Sequence, residues 1–398
     1  MSPSLYLGAT GFGLIAVCYG FARFAFGLFL PQIDADLSLS STLNGLISGG
    51  AFLGYCVAIV LSAYLTERIG ARAVAVAAAL VAAVGMVGIA VAPSPLLLAM
   101  AVMLAGSSTG LASPPMAAAV AVIVRPDRQG ATNTIINAGT GAGVVLSGPV
   151  ALLMGGQWRL AFATFAACAF LMAIAAALCV PSSTKSRTQS TSKSAHNFPP
   201  LTSTLRRLII ASFLMGASST ALWSFGSQLV SLRLGWSSTG AGLLWIAIGA
   251  AGIAGVFAGS LITRFGVDRM HWIFLGALAA GIALVGFEST TPVLTLSGGI
   301  LFGVAYIMLT GVYLVWGVSA LPDRPATGLM IGFLTIAIGQ TVGAPIFGLL
   351  MDQLSIDYAV IIFACLAFTA GLAKAGNAQR DPCYNRQARL AVSRNSER

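Results

Sequence analysis

The sequence predicts an all-α membrane protein with twelve transmembrane helices in two pseudo-symmetric six-helix bundles, and three observations carry that prediction. The first is composition: 57% of the 398 residues are hydrophobic and only 8% are charged, where soluble domains carry roughly 25% charge. The second is run length. A hydrocarbon core about 30 Å thick needs about 20 apolar residues per spanning helix, and twelve apolar stretches of that order follow one another. The third is duplication. Pro126-Asp127-Arg128 returns as Pro322-Asp323-Arg324, Arg68-Ile69-Gly70 as Arg264-Phe265-Gly266, and Pro149 as Pro345, each 196 residues later; Ser40-Ser41-Thr42 returns as Ser237-Ser238-Thr239 after 197. Solenoid repeats have periods of roughly 20 to 50 residues, so this period belongs to two fused bundles.

The first stretch, 8–32, lies in an apolar run over 5–33 with no basic region before it. That run exceeds the roughly 7 to 15 residues of a signal-peptide core, so it reads as a spanning helix rather than a cleaved leader. The second, 41–65, opens at Ser40-Ser41-Thr42 and closes on the charged turn Glu67 to Arg72, after which the third covers 73–92. The fourth, 96–122, is long enough to tilt or project from the bilayer. It carries Pro114-Pro115, which remove two amide donors and free the carbonyls of Gly110 and Leu111. Free carbonyls at membrane depth are tolerated only against protein or water, so this helix is expected either to face a cavity or to kink for packing. The fifth, 133–154, carries Gly139, Gly141, Gly143 and Gly148, small residues that allow close helix approach. The sixth, 159–181, opens at Trp158-Arg159. In the second half 208–230, 240–263, 271–287, 293–319, 329–350 and 358–376 repeat the order. The expected domains are a bundle over 1–181, a flexible Ser, Thr and Lys-rich cytoplasmic linker over 182–206, a bundle over 207–376 and a basic cytoplasmic tail over 377–398.

Charge sets the orientation. Of the 21 Lys and Arg, all but Arg23, Arg159 and Arg233 fall on one side, together with both termini and the linker. The positive-inside rule makes that side cytoplasmic, as expected of a multi-pass protein of the bacterial inner membrane. The net charge of +10 then reports topology and attraction to the lipid bilayer rather than nucleic-acid binding. Cys18, Cys56, Cys168, Cys179 and Cys365 lie in apolar spans and Cys383 in the tail, with no disulfide framework or metal spacing. No cofactor is implied: the glycine run at Gly139 lies in a span, not after a soluble strand, and no P-loop is present.

The segment from Ala63 to Arg72, Ala-Tyr-Leu-Thr-Glu-Arg-Ile-Gly-Ala-Arg, resembles the G-x-x-x-D-R-x-G-R-R loop between helices two and three of the major facilitator superfamily. Ala63 stands for the first Gly, Glu67 for the Asp and Ala71 for one basic residue. The second copy, from Gly259, keeps Arg264, Gly266 and Arg269 but has Thr263 for the acid. Trp158-Arg159 and the Pro-Asp-Arg loops are also similar to this superfamily, and the resemblance covers nearly the whole chain. It implies two bundles rocking about a central site. It also implies a cytoplasmic gate of Glu67, Arg68, Gly70 and Arg72, with Arg264 and Arg269 in the second copy; alternatively Arg68 and Arg72 only enforce topology. The fifth helix matches the family's antiporter signature in part: Gly148-Pro149 is present, but Val144 and Ala151-Leu152 replace expected glycines.

Arg23 is the only charge among positions 1 to 33, eight residues before Pro31. At 1.5 Å per residue it lies about 12 Å inside the helix end. Burial there costs at least about 2.5 kcal/mol, and no Asp or Glu lies deep in any span. The vacancy fits a mobile anion, whose carboxylate the planar guanidinium binds bidentately; the alternatives are backbone carbonyls or snorkelling. Tyr19, one turn away, is placed to hydrogen-bond or stack on Arg23. Ser108 on helix four, Asn137 on helix five, Trp223 on helix seven, Tyr306 on helix ten and Gln340 on helix eleven complete the candidate substrate site. Trp245 and Tyr313 extend a candidate aromatic wall, and packing explains any of these equally.

The expected function is secondary transport of a small-molecule substrate, a small organic anion, by a monomer using alternating access, coupled to a proton or counter-anion. The alternative is an exporter of a neutral or cationic metabolite or drug. An enzyme would need a general acid or base, and the only histidines, His196 and His271, fall in the linker and at the cytoplasmic start of helix nine. A sensor would need an output domain, and only a short tail follows the last span.

Overall fold

The computed structural model describes residues 3–182, 201–322 and 324–375. Expectations for most of the linker, His196, Asp323, Cys383 and the basic tail lie outside them. Within them every regular element is helical. Helix α1 runs as α-helix over Pro3–Ile15, as π-helix over Ala16–Phe24 and as α-helix over Ala25–Leu37. It is followed by α2 (Ser41–Ile69), α3 (Ala71–Val91), α4 (Pro95–Ile123), α5 (Pro126–Leu153) and α6 (Trp158–Cys179). In the second half α7 comprises Ser203–Trp223 and Gly226–Leu234, and α8 comprises Ser238–Gly252 and Ala258–Phe265 joined by a 3-10 turn over Ile253–Phe257. Then come α9 (Val267–Gly286), α10 (Pro292–Ala320), α11 (Pro325–Gln353) and α12 (Ile356–Ala370). Among the described residues eleven helices are long and apolar enough to cross a membrane, and α12 is shorter. Helix α7 takes in the last four residues of the expected linker, because the Thr202 hydroxyl caps it by accepting from the Leu205 amide at 3.2 Å.

The duplication extends to the backbone. Gly70 and Gly266 stand at φ 87, ψ 158 and φ 85, ψ 156, a region that favours Gly, so the turns closing α2 and α8 are copies. Ser94 and Thr291 cap α4 and α10, each followed by Pro at the first position. The two arginines away from the basic loops play one part in both bundles. Arg159 of α6 pairs with Asp36 of α1 and donates to the Ala92 carbonyl beyond α3 at 3.0 Å. Arg233 of α7 pairs with Asp357 of α12 at 2.5 Å and donates to the Gly286 carbonyl of α9 at 2.8 Å. Each ties the first, third and last helices of its bundle at the end opposite the basic loops, with acid and base exchanged between copies.

Three helices depart from unbroken spans. In α1 the Ala25 amide donates to the Gly20 carbonyl, five residues back, and this wider turn lies where Gly20 meets Gly143 of α5; a Cβ there would stand 2.4 Å from the Gly143 Cα. In α7 the ladder stops at Ser224, which bonds Thr220, and restarts where Leu229 bonds Phe225. The interruption presents the Trp223 carbonyl to α1 at Gly27, where a Cβ would stand 2.1 Å from that oxygen. The 3-10 turn of α8 packs Gly255 on Ile307 of α10. Pro114-Pro115 leave α4 continuous, and the freed Leu111 carbonyl accepts from the Ser62 hydroxyl of α2 at 3.1 Å. The expected cavity is thus replaced, at that carbonyl, by protein of the same bundle.

The bundles meet through α1 with α7, α2 with α11 and α5 with α8. The contact is tightest at the end opposite the basic loops. There Gly45 faces the Ala344 carbonyl, Gly348 the Ser41 carbonyl and Gly148 the Gly242 carbonyl. Asp352 of α11 crosses the interface to accept from the Thr42 amide and hydroxyl, both at 2.7 Å, and from the Ser41 amide at 3.3 Å. It caps α2 from the other bundle, placing a negative charge at a helix N-terminus.

Candidate functional site

The π-helical stretch of α1 carries the site. Its side chains at 19 and 23 project from one side, toward α2, α4 and α11. Arg23 is 6% exposed and donates from Nη2 to Gln340 Oε1 of α11 at 2.5 Å. Gln340, fully buried, donates from Nε2 to the Ser219 hydroxyl of α7 and the Tyr306 hydroxyl of α10, both at 3.2 Å. One hydrogen-bonded chain therefore joins the two bundles part-way along their helices. Four rings surround the guanidinium: Phe52 and Tyr55 of α2 at 4.7 Å from its carbon, Phe24 at 5.2 Å and Tyr19 at 5.8 Å. A cation–π contact is worth about 0.5 to 1 kcal/mol at an exposed site and about 2 kcal/mol or more when desolvated, as here. Phe24 in turn stacks on Trp223 at 4.1 Å, and Trp223 meets Tyr306 edge-on at 5.2 Å.

Among the described residues no carboxylate pairs with Arg23, and two donors of the cluster are buried without acceptors: Arg23 Nε and Trp223 Nε1. An unsatisfied buried donor costs about 1 to 3 kcal/mol. The cluster thus has more N–H groups than oxygens to receive them, and its complement is an acceptor-rich solute with an apolar body. Toward the closed end, Asn44 and Ser48 of α2 and Ser224 and Ser227 of α7 are also buried without partners.

Five of the expected substrate residues come together: Arg23, Tyr19, Trp223, Tyr306 and Gln340. Tyr19 also shares a hydrogen bond with Ser113 of α4 at 3.1 Å. Ser108 stays apart, fully buried with its hydroxyl on the Ala105 carbonyl of its own helix at 2.6 Å. Asn137 is exposed on α5. The expected aromatic wall divides: Trp245 is buried beside Gly226, and Tyr313 belongs to a separate cluster with His271 (3.0 Å), Trp316 and the Ala211 carbonyl. His271 lies near the start of α9, where the sequence places it, and is 1% exposed, packed inside the second bundle. Sequence reasoning missed Phe52, Tyr55 and Ser219. Ser219 had a signal, lying one turn before Trp223; Phe52 and Tyr55, three residues apart on a helix rich in Gly and Ala, had a weaker one.

The expected gate residues lie at the other end. Glu67, Arg68, Arg264 and Arg269 are exposed, with Arg68 over the Tyr64 ring at 4.5 Å and Arg264 over Phe265 at 5.2 Å. Arg72 donates to the Val180 carbonyl at 2.6 Å, joining α3 to the end of α6. Gly70 supplies the positive-φ turn. The contacts described for these gate residues lie within single bundles, whereas at the opposite end glycine contacts and Asp352 join one bundle to the other.

The whole chain is built like solved transporters. It superposes on the nucleoside transporter NupG with TM-score 0.74 at 15% identity, covering 94% of this chain and 98% of that one. The xylose transporter XylE from E. coli, in an inward open conformation, gives 0.75 at 16% identity, covering 93% and 94%. A bacterial homolog of the human lysosomal transporter Spinster, inward-facing and occupied, gives 0.71 at 14%, covering 95% and 96%. Comparison with curated proteins gives no match. The profile of the Major Facilitator Superfamily matches residues 12–337. The chain therefore belongs to the Major Facilitator Superfamily and is a membrane transporter, not an enzyme.

Proposed function

We propose that this transporter carries a small organic anion across the bacterial inner membrane as a monomer, with both termini cytoplasmic and Arg23 as the substrate's principal partner. The observation that carries the reading is the half-satisfied guanidinium between the bundles: a buried, permanently charged Arg with a neutral acceptor and an idle Nε. A carboxylate supplies the missing charge and second oxygen. With the basic loops in the cytoplasm, the described state is inward-facing, as are two of the similar solved structures. The partnerless Asn44, Ser48, Ser224 and Ser227 then line the outer path, buried in this state and exposed when the outer seal opens. Among the described residues no deep carboxylate is available to titrate, which favours anion exchange or a proton carried with the substrate.

A second reading has its own support. Nucleosides and xylose, transported by two of the similar proteins, are neutral, and Gln340 with four aromatic rings also suits an uncharged ring compound. The test is a thermal-shift screen of purified protein against paired carboxylates and their amides, such as benzoate and benzamide, since a ligand preferring the folded state raises Tm. Carboxylates should stabilise the wild type and not Arg23→Ala, with Arg23→Lys intermediate because it keeps charge but loses the fork. Equal stabilisation of wild type and Arg23→Ala by carboxylates would remove Arg23 from the ligand role.

A further inference from the structure

We propose that Gln340 is a built-in stand-in for the substrate: in the empty carrier its carboxamide oxygen takes the place of one substrate carboxylate oxygen on Arg23, and this lets the empty carrier close. The inference rests on the anion reading above. It comes from which edge of the guanidinium is used. Nε and Nη2 form one side of the planar fork, the side that accepts a carboxylate through two parallel bonds. Here Nη2 is bonded to Gln340 and Nε has no partner. The edge is half filled by a group that offers one oxygen where a carboxylate offers two.

The amide's orientation is determined rather than arbitrary. Ser219 spends its proton on the Gly216 carbonyl at 2.7 Å, so its oxygen accepts from Gln340 Nε2. Reversing the amide would set an NH2 against the guanidinium, donor against donor. All three members of that arrangement, Ser219, Tyr306 and Gln340, belong to the second bundle. The rings around Arg23 all belong to the first. Gln340 therefore offers its oxygen across the interface, and the bond breaks whenever the bundles part at this depth.

The consequence concerns the return step. A carrier whose buried Arg has no acceptor when empty cannot close without stranding a charge, and it moves only when loaded. A stand-in acceptor lowers that barrier, so the wild type carries out net transport, whereas a variant lacking the oxygen closes less often when empty and favours exchange. A substrate carboxylate displaces Gln340 because it satisfies both donors and neutralises the charge.

The test reads conformation in the full-length, substrate-free protein reconstituted in liposomes. Spin labels at Leu153→Cys and Val293→Cys, 83% and 73% exposed at the sealed ends of the two bundles, report their separation in a background without native cysteines. Wild type should give mainly the short distance. Gln340→Ala should shift the open-to-closed ratio by about tenfold, the effect of one hydrogen bond to a charged group, and added formate should restore the short distance. Gln340→Glu, which keeps an acceptor on the same stem, should hold the short distance without formate and shows that the position tolerates substitution. Unchanged distances in Gln340→Ala would overturn the stand-in role. Restoration by formamide but not formate would uphold the stand-in and overturn the anion reading instead.

Discussion

Replacing Gly45 by Ala should open the sealed end of the molecule without unfolding it. A Cβ at position 45 would lie 2.4 Å from the Ala344 oxygen and 2.9 Å from the Pro345 Cα of α11. Carbon and oxygen approach no closer than about 3.3 Å even in weak C–H···O contacts, so α2 and α11 must separate by about 1 Å. Overpacking of this kind costs about 1 to 3 kcal/mol, a shift of roughly 5- to 150-fold in the closed-to-open ratio. Ala also improves helix propensity over Gly by up to about 1 kcal/mol, but it does so in both states and cancels from the ratio. Gly303→Ala is the control. Its Cβ would lie 2.1 Å from the Ile248 oxygen, a similar overlap, but between α8 and α10 of one bundle. Spin-label distances between positions 153 and 293, measured beside thermal unfolding, separate the two. Gly45→Ala should lengthen the distance with a small change in Tm, and Gly303→Ala should lower Tm and leave the distance distribution alone. If Gly303→Ala moved the distance and Gly45→Ala did not, the assignment of the glycine contacts to the moving interface would be wrong.

Asp352→Ala removes the cap that α11 places on α2, worth about 0.5 to 2 kcal/mol, and should raise labelling of a cysteine at Ser40 by roughly 2- to 30-fold. High salt should narrow the difference, because the pair is exposed and screened; a difference independent of salt would point to packing. Arg68→Ala should slow cycling, measured as single-turnover flux in liposomes, while equilibrium ligand affinity stays near wild type. Wild-type flux would leave Arg68 a topological residue only. A reporter fused after Arg398 should be active only in a form that works in the cytoplasm, and activity of a periplasmic form would reverse the orientation and with it the inward-facing reading.

Arg23 is conspicuous in the sequence because a lone charge in an apolar run has no cheap explanation, whereas Gln340 on helix eleven reads equally as a site residue or as interhelical packing. The helix count and the two-bundle organisation followed from run length and the repeat of 196 residues, since bilayer thickness sets both the composition and the length of each element. Which side chains meet was another matter. A helix that is hydrophobic all round has no periodic stripe to mark its buried face, so Ser108 and Asn137 enter the candidate site from sequence while Tyr55 and Ser219, which reach the Arg23 cluster, do not. The glycines of α5 announce close packing but not against which neighbour. The π-helical turn at Ala16–Phe24 and the break at Ser224 are likewise answers to tertiary demands: the Gly20–Gly143 contact, and a carbonyl turned toward Gly27. In the membrane the solvent no longer distinguishes one face of a helix from another, and only the neighbouring helices do.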